Sequence, residues 1–497
     1  MIASEDLKSK AITASVWAII AKFSLLIAQF IIGIVLARLL KPSDFGLIAL
    51  TTVFITICAA ITDGGFETAL IQKKELTTIQ INTAFYLNIL LGCFMTLILC
   101  FLAPFISSFF HESRLNNILR VLSLTLPLEA LGQTQRTLLM KELDFKKISI
   151  SQILSSIISG LVGIILAYKG YGVWALVYST ILALVIRDLC FWIHSSWYPK
   201  IMFSYSSLSN LIPFGLNVLA TSILFFFVQQ FNSIVVAKFY SDRDLGLYNR
   251  GMKFPEIIIS SIQGVVLKMS LPLFSKFQSE SEKLSNALIK TNTLVAFIAF
   301  PLLFFVFFNA NAIVLILLTQ KWIEAVIYVK LFCVIKLFDP FITIQQELLL
   351  AKSKSKLYLI IFSCTSIVEV VSILFFAKYG ILYIIGAIII NRLLQYITYL
   401  FVGLKEVNLR FEHLKLFFSY LVICITVICC FQIFDYVLFN NININYIGKL
   451  LFDFFVGGSF YLLLCYKFKN EDILLIKSIF SSINYPKFRL FKYLKQD

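Results

Sequence analysis

Runs of roughly twenty apolar residues recur along the whole chain with only short polar breaks between them, and no other feature constrains the fold as tightly. A helix rises about 1.5 Å per residue, so crossing ~30 Å of hydrocarbon takes roughly 20 apolar residues, and soluble cores do not repeat that pattern. Fourteen spans are predicted, near 11–37, 45–70, 82–110, 117–140, 148–167, 173–193, 209–237, 245–275, 285–310, 323–350, 357–377, 381–402, 417–436 and 449–466. The stretch LVAFIAFPLLFFVFF (294–308) is apolar on every side, whereas strands of a membrane barrel alternate apolar and polar residues. With 59% hydrophobic and 14% charged residues in 497, the expectation is an all-α, multi-pass integral membrane protein with no sizeable soluble domain.

The N-terminal stretch reads as a retained first span, being too long for a signal-peptide core and lacking a small-residue cleavage site. Most of the ten cysteines, among them Cys58, Cys93, Cys100, Cys424, Cys429 and Cys430, lie inside apolar runs, and no CxxC pair occurs, so they read as small buried side chains. The net charge of +16 follows topology and not nucleic acid. Alternate loops starting from the N-terminus hold 23 Lys and Arg, against eight in the intervening loops. Basic residues stay on the cytoplasmic side during insertion, which predicts two cytoplasmic termini and an even number of spans. The tail YPKFRLFKYLKQD (485–497) is either an anionic-lipid contact or a solvated topology anchor.

An internal repeat is visible at an offset of 200 residues: Gln29, Ile34, Val35, Ala37, Asp44, Gly46 and Leu47 recur as Gln229, Ile234, Val235, Ala237, Asp244, Gly246 and Leu247. A second correspondence, AYKGYGVWAL (167–176) with FAKYGILYII (376–385), has an offset of 208. The order of features predicts an N-lobe over 1–208 with spans one to six and a C-lobe over 209–410 with spans seven to twelve. Spans thirteen and fourteen over 411–466 and a basic cytoplasmic tail over 467–497 stand outside the repeat. Parallel duplication about an axis along the membrane normal is one of the repeat types of transporters, which work by rocking one lobe against the other.

Twelve basic residues remain in or near the spans once loop charges are removed, among them Arg120, Arg187, Lys268, Lys290, Lys330, Arg392 and Lys449. A charge at the centre of an isolated helix costs at least ~2.5–3.5 kcal/mol, so deep ones must face protein, water or a partner. Several stand at helical spacing with acids: Asp63 with Glu67; Glu129, Gln133 and Arg136; Arg250, Lys253 and Glu256; Lys336 with Asp339. The functional reading has Lys22, Arg136, Arg250, Lys253 and Lys336 lining a cationic cavity for an anionic group such as a diphosphate. Asp63, Glu67, Glu129 and Glu256 would bind a coupling cation or serve lobe packing. The structural alternative is snorkelling to headgroups or local pairing between helices. Prolines at 127, 213, 255, 272, 301 and 340 are expected to interrupt spans.

Three histidines, far apart in sequence, and the lack of an HExxH, GxSxG or GxxxxGK[ST] motif speak against a metal site, a hydrolase and ATP-driven transport by this chain alone. No cofactor is expected. A membrane polysaccharide polymerase or glycosyltransferase is the rival from another class, but the external loops are short, leaving little room for a catalytic platform.

The segments LARLLKPSDFGLIALTTVFI (36–55), DGGFETALIQKKELT (63–77), KELDFKKISI (141–150), GYGVWALV (170–177) and DRDLGLYNRGMKFPEIIISSI (242–262) resemble the polysaccharide-export flippases of the multidrug/oligosaccharidyl-lipid/polysaccharide superfamily, particularly the WzxC-type branch. The resemblance covers most of the chain to about residue 410. It implies a fourteen-helix, two-lobed, non-enzymatic flippase of the bacterial cytoplasmic membrane. Its substrate would be undecaprenyl-diphosphate-linked oligosaccharide for O-antigen, capsule or exopolysaccharide assembly, moved by alternating access among membrane lipids and other polysaccharide-assembly proteins. It also implies cationic cavity residues on the first and eighth spans, for which Lys22 and the Arg250–Lys253 pair are nearest here. A small-molecule or drug antiporter of the same superfamily is the alternative.

Overall fold

The computed structural model describes residues 22–63, 67, 70, 76–202, 204, 226–407, 420–426 and 446–468, and among them the only regular structure is helical. The helices are α1 (Lys22–Leu39), α2 (Pro42–Asp63), α3 (Thr78–Phe110), α4 (Arg114–Ser123), α5 (Thr125–Lys141), α6 (Phe145–Tyr168), α7 (Val173–His194), α8 (226–239) and α9 (Asp242–Lys276). They continue as α10 (Ser281–Phe308), α11 (Ala310–Leu317), α12 (Ala325–Lys336), α13 (Asp339–Ala351), α14 (Ser355–Phe376), α15 (Ile381–Val407), α16 (420–426) and α17 (Tyr446–Phe468). The chain divides into two compact units, Met1–Asn249 and Arg250–Asp497.

Among the described residues ten helices are long and apolar enough to cross a membrane: α1, α2, α3, α6, α7, α9, α10, α14, α15 and α17. The expected fourth and tenth spans are each a pair of shorter helices instead, α4 with α5 and α12 with α13. Proline explains the first break. Pro127 has no N–H for the carbonyl of Ser123, and that carbonyl instead accepts the Thr96 hydroxyl of α3 at 2.8 Å. Pro340 sits in the first turn of α13, where a missing N–H costs nothing. By contrast Pro255, Pro272 and Pro301 lie inside continuous helices. Pro213, the first half of span seven, most of span thirteen and the basic tail lie outside the described residues.

The repeat reappears as geometry. Helices α2 and α9 start 200 residues apart, and each is capped alike: the Lys41 N–H donates to Asp44 at 3.1 Å, and the Ser241 N–H to Asp244 at 3.2 Å. Leu47 and Leu247 are both fully buried. Helices α7 and α15 start 208 residues apart, each preceded by a glycine with positive φ, Gly172 at 57° and Gly380 at 135°.

In the first unit α6 packs along α7, and α3 along α4 and α5. The buried face of α6 carries Ser151, Ser155, Ser159, Gly163 and Ala167 at four-residue steps, small side chains that let two helix backbones approach. A Cβ on Gly163 would lie 2.9 Å from the side chain of Ser179 on α7. Helix α3 is inside out relative to a soluble helix: Thr96, Leu99 and Ala103 are buried, while Leu97, Phe101 and Phe105 point outward as a lipid face. In the second unit α14 packs along α15, and α10 along α12, with Phe300 and Phe341 fully buried at a centroid distance of 5.5 Å.

Asp144 caps α6, accepting the Lys147 N–H at 3.3 Å and the Lys147 ammonium at 2.9 Å. Burial pushes this carboxyl up, but the bonds from Lys147 outweigh it and hold it below the usual carboxylate range. The cap is therefore complete at neutral pH, and its contribution is lost as pH falls through the lowered value. Asp144→Ala should cost about 0.5–2 kcal/mol, and thermal unfolding in detergent should show the difference from wild type shrinking in acid.

Candidate functional site

Two charged clusters lie among the helices, one in each unit. In the first unit a cavity of about 250 Å³ is lined by Asp63 at the end of α2, Glu67 just beyond it, Glu129, Gln133 and Arg136 on α5, and Arg187 on α7. Steps of four and three place Glu129, Gln133 and Arg136 on one face of α5, which is how a helix collects polar groups on its inner side. Gln133 is the relay: its amide N–H donates to the Asp63 carboxylate, and its carbonyl accepts from Asn88 of α3 at 3.3 Å. Arg136 stands 3.9 Å from Glu67. Arg187 lies between Glu129 at 3.6 Å and Asp188 at 2.9 Å, with its guanidinium 5.8 Å from the Phe191 ring centroid. Asp188 is almost fully buried against α5, where a Cβ on Gly132 would come within 2.3 Å of its carboxylate.

The cavity lining thus carries three carboxylates and two guanidiniums. A guanidinium 3.6–3.9 Å from its carboxylate is attracted without being locked into a short bidentate pair, so its remaining N–H donors are free to turn toward a third group.

In the second unit a chain of ions crosses five helices. Lys336, the last residue of α12, is held 2.5 Å from Glu256 of α9 and 2.8 Å from Asp339 of α13. Arg392 on α15 stands 3.9 Å from Asp339 and 3.8 Å from Glu369 on α14. Asn391 donates to Glu369 at 2.9 Å, and Gln395 accepts from Arg392 at 2.9 Å while donating to Thr365 at 3.0 Å. The Lys336 and Asp339 side chains are 16% and 13% exposed, so each satisfies charge that water does not reach well.

The structure brings Asp63, Glu67, Glu129 and Arg136 together, and pairs Glu256 with Lys336. Arg250 on α9 sits apart from these contacts, its guanidinium 6.0 Å from the ring centroid of the buried Trp322. Lys253 and Lys22 are exposed, Lys22 at the beginning of α1. Arg120, Lys268 and Lys290 are exposed as well, while Lys330 stacks over Phe307 at 5.9 Å. Sequence reasoning had no part for Glu369, Asn391, Gln395 or Thr365. Their signal is two polar pairs at four-residue spacing, Thr365 with Glu369 and Asn391 with Gln395, in otherwise apolar helices. Among the described residues no group of His, Cys, Asp and Glu is arranged to hold a metal ion.

Comparison with known proteins adds the following. Residues 35–327 match the family model described as polysaccharide biosynthesis protein. A membrane protein of the cps region of Klebsiella pneumoniae is 25% identical over 497 residues, covering 96% of this chain and 99% of that protein. The lipopolysaccharide biosynthesis protein WzxC of Escherichia coli is 25% identical over 355 residues, 70% of this chain and 71% of that protein. Among solved structures, the lipid II flippase MurJ in an inward closed conformation superposes with a TM-score of 0.68 at 16% identity, covering 93% of this chain and all of that one. At that identity the likeness concerns the fold, and it agrees with the expected all-α membrane architecture.

Removing one partner of a buried ion pair strands the others. Lys336→Met leaves Glu256 and Asp339 facing each other without their cation and should cost about 3–5 kcal/mol, whereas Lys336→Arg should keep most of the stability. Thermal unfolding of the purified variants checks both.

Proposed function

Because the chain belongs to the polysaccharide biosynthesis protein family, we propose that it is a flippase that carries lipid-linked oligosaccharide from the cytoplasmic to the outer leaflet, with both termini cytoplasmic. The observation that carries this reading is a charged cavity enclosed by apolar helices in a chain of that family. A lipid-linked oligosaccharide has a polyprenyl tail at home in lipid and a diphosphate that is not. Moving it requires a polar path through a membrane protein, with donors for phosphate oxygens.

Arg136 and Arg187 are the donors. Arg136 stands 3.9 Å from Glu67, and Arg187, bonded through Nε to Asp188 at 2.9 Å, keeps a looser contact with Glu129 at 3.6 Å; each presents planar N–H groups suited to phosphate oxygens. A diphosphate competes with the carboxylates for the same guanidiniums. The Asp63–Gln133 bond holds α2 to α5 and keeps the cavity wall in register. In the second unit Lys336 is tied more closely, to Glu256 and Asp339, while Arg392 stands 3.8 Å from Glu369 and 3.9 Å from Asp339. No step requires bond-making by the protein, so the role is transport and not catalysis.

Loss of the gene from its host should leave lipid-linked repeat units trapped on the cytoplasmic leaflet, inaccessible to a glycan-specific probe applied to spheroplasts. Repeat units that still reach the outer leaflet at the normal rate would sink this reading. Arg136→Gln should lower the rate about ten-fold or more, the value of a lost charge-assisted hydrogen bond, with membrane abundance unchanged, whereas Arg187→Gln should also lower abundance by leaving Asp188 buried without its cation. Arg→Lys at either position should recover only part of the rate, because the ammonium does not replace the planar fork.

A further inference from the structure

Helix α3 turns one stripe of residues at four-residue steps, Asn88, Gly92, Thr96 and Cys100, toward the broken pair α4 and α5. Each member meets a different part of the break. The Cys100 Sγ lies 3.5 Å from the hydroxyl of Ser123, the last residue of α4. The Thr96 hydroxyl lies 2.8 Å from the Ser123 carbonyl oxygen and 2.9 Å from the Gly92 carbonyl oxygen of its own helix. One turn along, a Cβ on Gly92 would stand 3.0 Å from the Cα of Pro127 and 3.1 Å from the Leu126 carbonyl oxygen, so the first turn of α5 rests directly on the α3 backbone. At the end of the stripe Asn88 donates to Gln133 at 3.3 Å, and Gln133 donates in turn to Asp63 in the cavity wall.

The break has its cause in one span and its support in another. Pro127 removes the N–H that would bond the Ser123 carbonyl, and its ring crowds that carbonyl, which opens the helix there. A carbonyl left unbonded inside a membrane protein is costly, and Thr96, itself buried, supplies the donor. Thr51, Thr62 and Thr137 donate to the carbonyl four residues back in their own helices. Thr96 has that acceptor and a second one on a neighbouring helix, so its hydroxyl ties the opened turn to α3 and fixes the direction in which α5 leans.

That direction matters because the cavity side chains ride on α5. Arg136 lies nine residues beyond Pro127, about 13 Å along the axis at about 1.5 Å per residue. A change in lean of about 10° at the break therefore displaces it by roughly 2 Å, a large fraction of its 3.9 Å separation from Glu67.

We propose that Thr96, with Gly92 and Asn88 beside it, is a positioning residue for the anion site: it sets the lean of α5 at the Pro127 break, and so the reach of Arg136, without touching substrate. Its effect on substrate rests on the flippase reading, whereas its effect on the separation of Arg136 from Glu67 does not. Two substitutions distinguish positioning from stability. Thr96→Val removes the hydroxyl at nearly constant volume and strands the Ser123 carbonyl, so it disturbs both. Pro127→Ala returns an N–H to that carbonyl within the helix. The double variant T96V/P127A therefore leaves the carbonyl bonded while α4 and α5 straighten into one helix.

The test uses the full-length protein in detergent, with undecaprenyl diphosphate as the probe and native mass spectrometry as the binding readout. Thr96→Val should weaken binding severalfold and lower the unfolding temperature, and Thr96→Ser, which keeps the hydroxyl, should resemble wild type in both. T96V/P127A should unfold at or above the wild-type temperature yet still bind severalfold more weakly. A short reducible bis-methanethiosulfonate linker between cysteines at 67 and 136 (E67C/R136C), with each single variant as control, reports the geometry. T96V/P127A in that background should change the linking yield severalfold, and Thr96→Ser should not. Should the valine variants not accumulate as folded protein, Gly92→Ala replaces them with the same expectation, since its methyl group displaces the same turn of α5 and leaves every hydrogen-bond donor in place. A T96V/P127A protein that binds like wild type, or whose linking is unchanged, overturns the proposal, because stability was then all that Thr96 supplied. A Thr96→Ser variant as weak as Thr96→Val overturns it too. Linking that responds to the break in a protein that neither binds undecaprenyl diphosphate nor moves lipid-linked oligosaccharide would instead overturn the flippase reading and leave the positioning role standing.

Discussion

Charge in a low-dielectric surround must be answered by other charge, and the interior of this protein is arranged around that requirement. Lys336 has two carboxylates within 2.8 Å, Arg187 has two within 3.6 Å, and Arg392 has two within 3.9 Å. Each ion ties together helices that lipid alone would not hold in register, because apolar side chains gain little by leaving hydrocarbon for one another. The small-residue face of α6 meets the same difficulty differently, by close backbone approach instead of hydrophobic burial.

The two clusters differ in tightness, and the difference has functional weight. In the second unit Lys336 is held at 2.5 and 2.8 Å, a geometry that resists exchange. In the first unit Arg136 and Arg187 keep longer distances to Glu67 and Glu129 and border open space. A site that must take up and release an anion needs donors that are occupied but not committed. A structural brace needs the opposite.

Much of the fold was legible because a membrane imposes a length on helices and a sign on loops. The repeat offsets of 200 and 208 residues, read from a handful of identities, agree with the helix starts to the residue. The breaks within spans four and ten were less legible, since seven prolines, Pro104 among them, fall in apolar runs and look alike in sequence. What separates Pro127 from Pro301 is whether a neighbouring helix supplies a donor to the freed carbonyl, as Thr96 does, and that is tertiary information. For the site, helical spacing correctly joined Glu129 to Gln133 and Arg136, and Lys336 to Asp339, because those relations are local. It could not join Arg187 to Glu129 or Arg392 to Glu369, which meet across helices. Nor could it tell that Lys22 and Lys253 would be exposed, since spacing assigns a face but not the neighbour that covers it.

At the starts of α2 and α9 a Cβ on Gly46 would meet the backbone carbonyl of Asp242, and one on Gly246 that of Pro42. In a self-complementary contact a residue near the centre meets its repeat counterpart. A side chain at either glycine would meet the backbone of the other helix. Pro42 and Asp242 hold unlike side chains at corresponding positions because only their backbone carbonyls make the contact. Gly46 and Gly246 have no such freedom, since each is the boundary condition of the other.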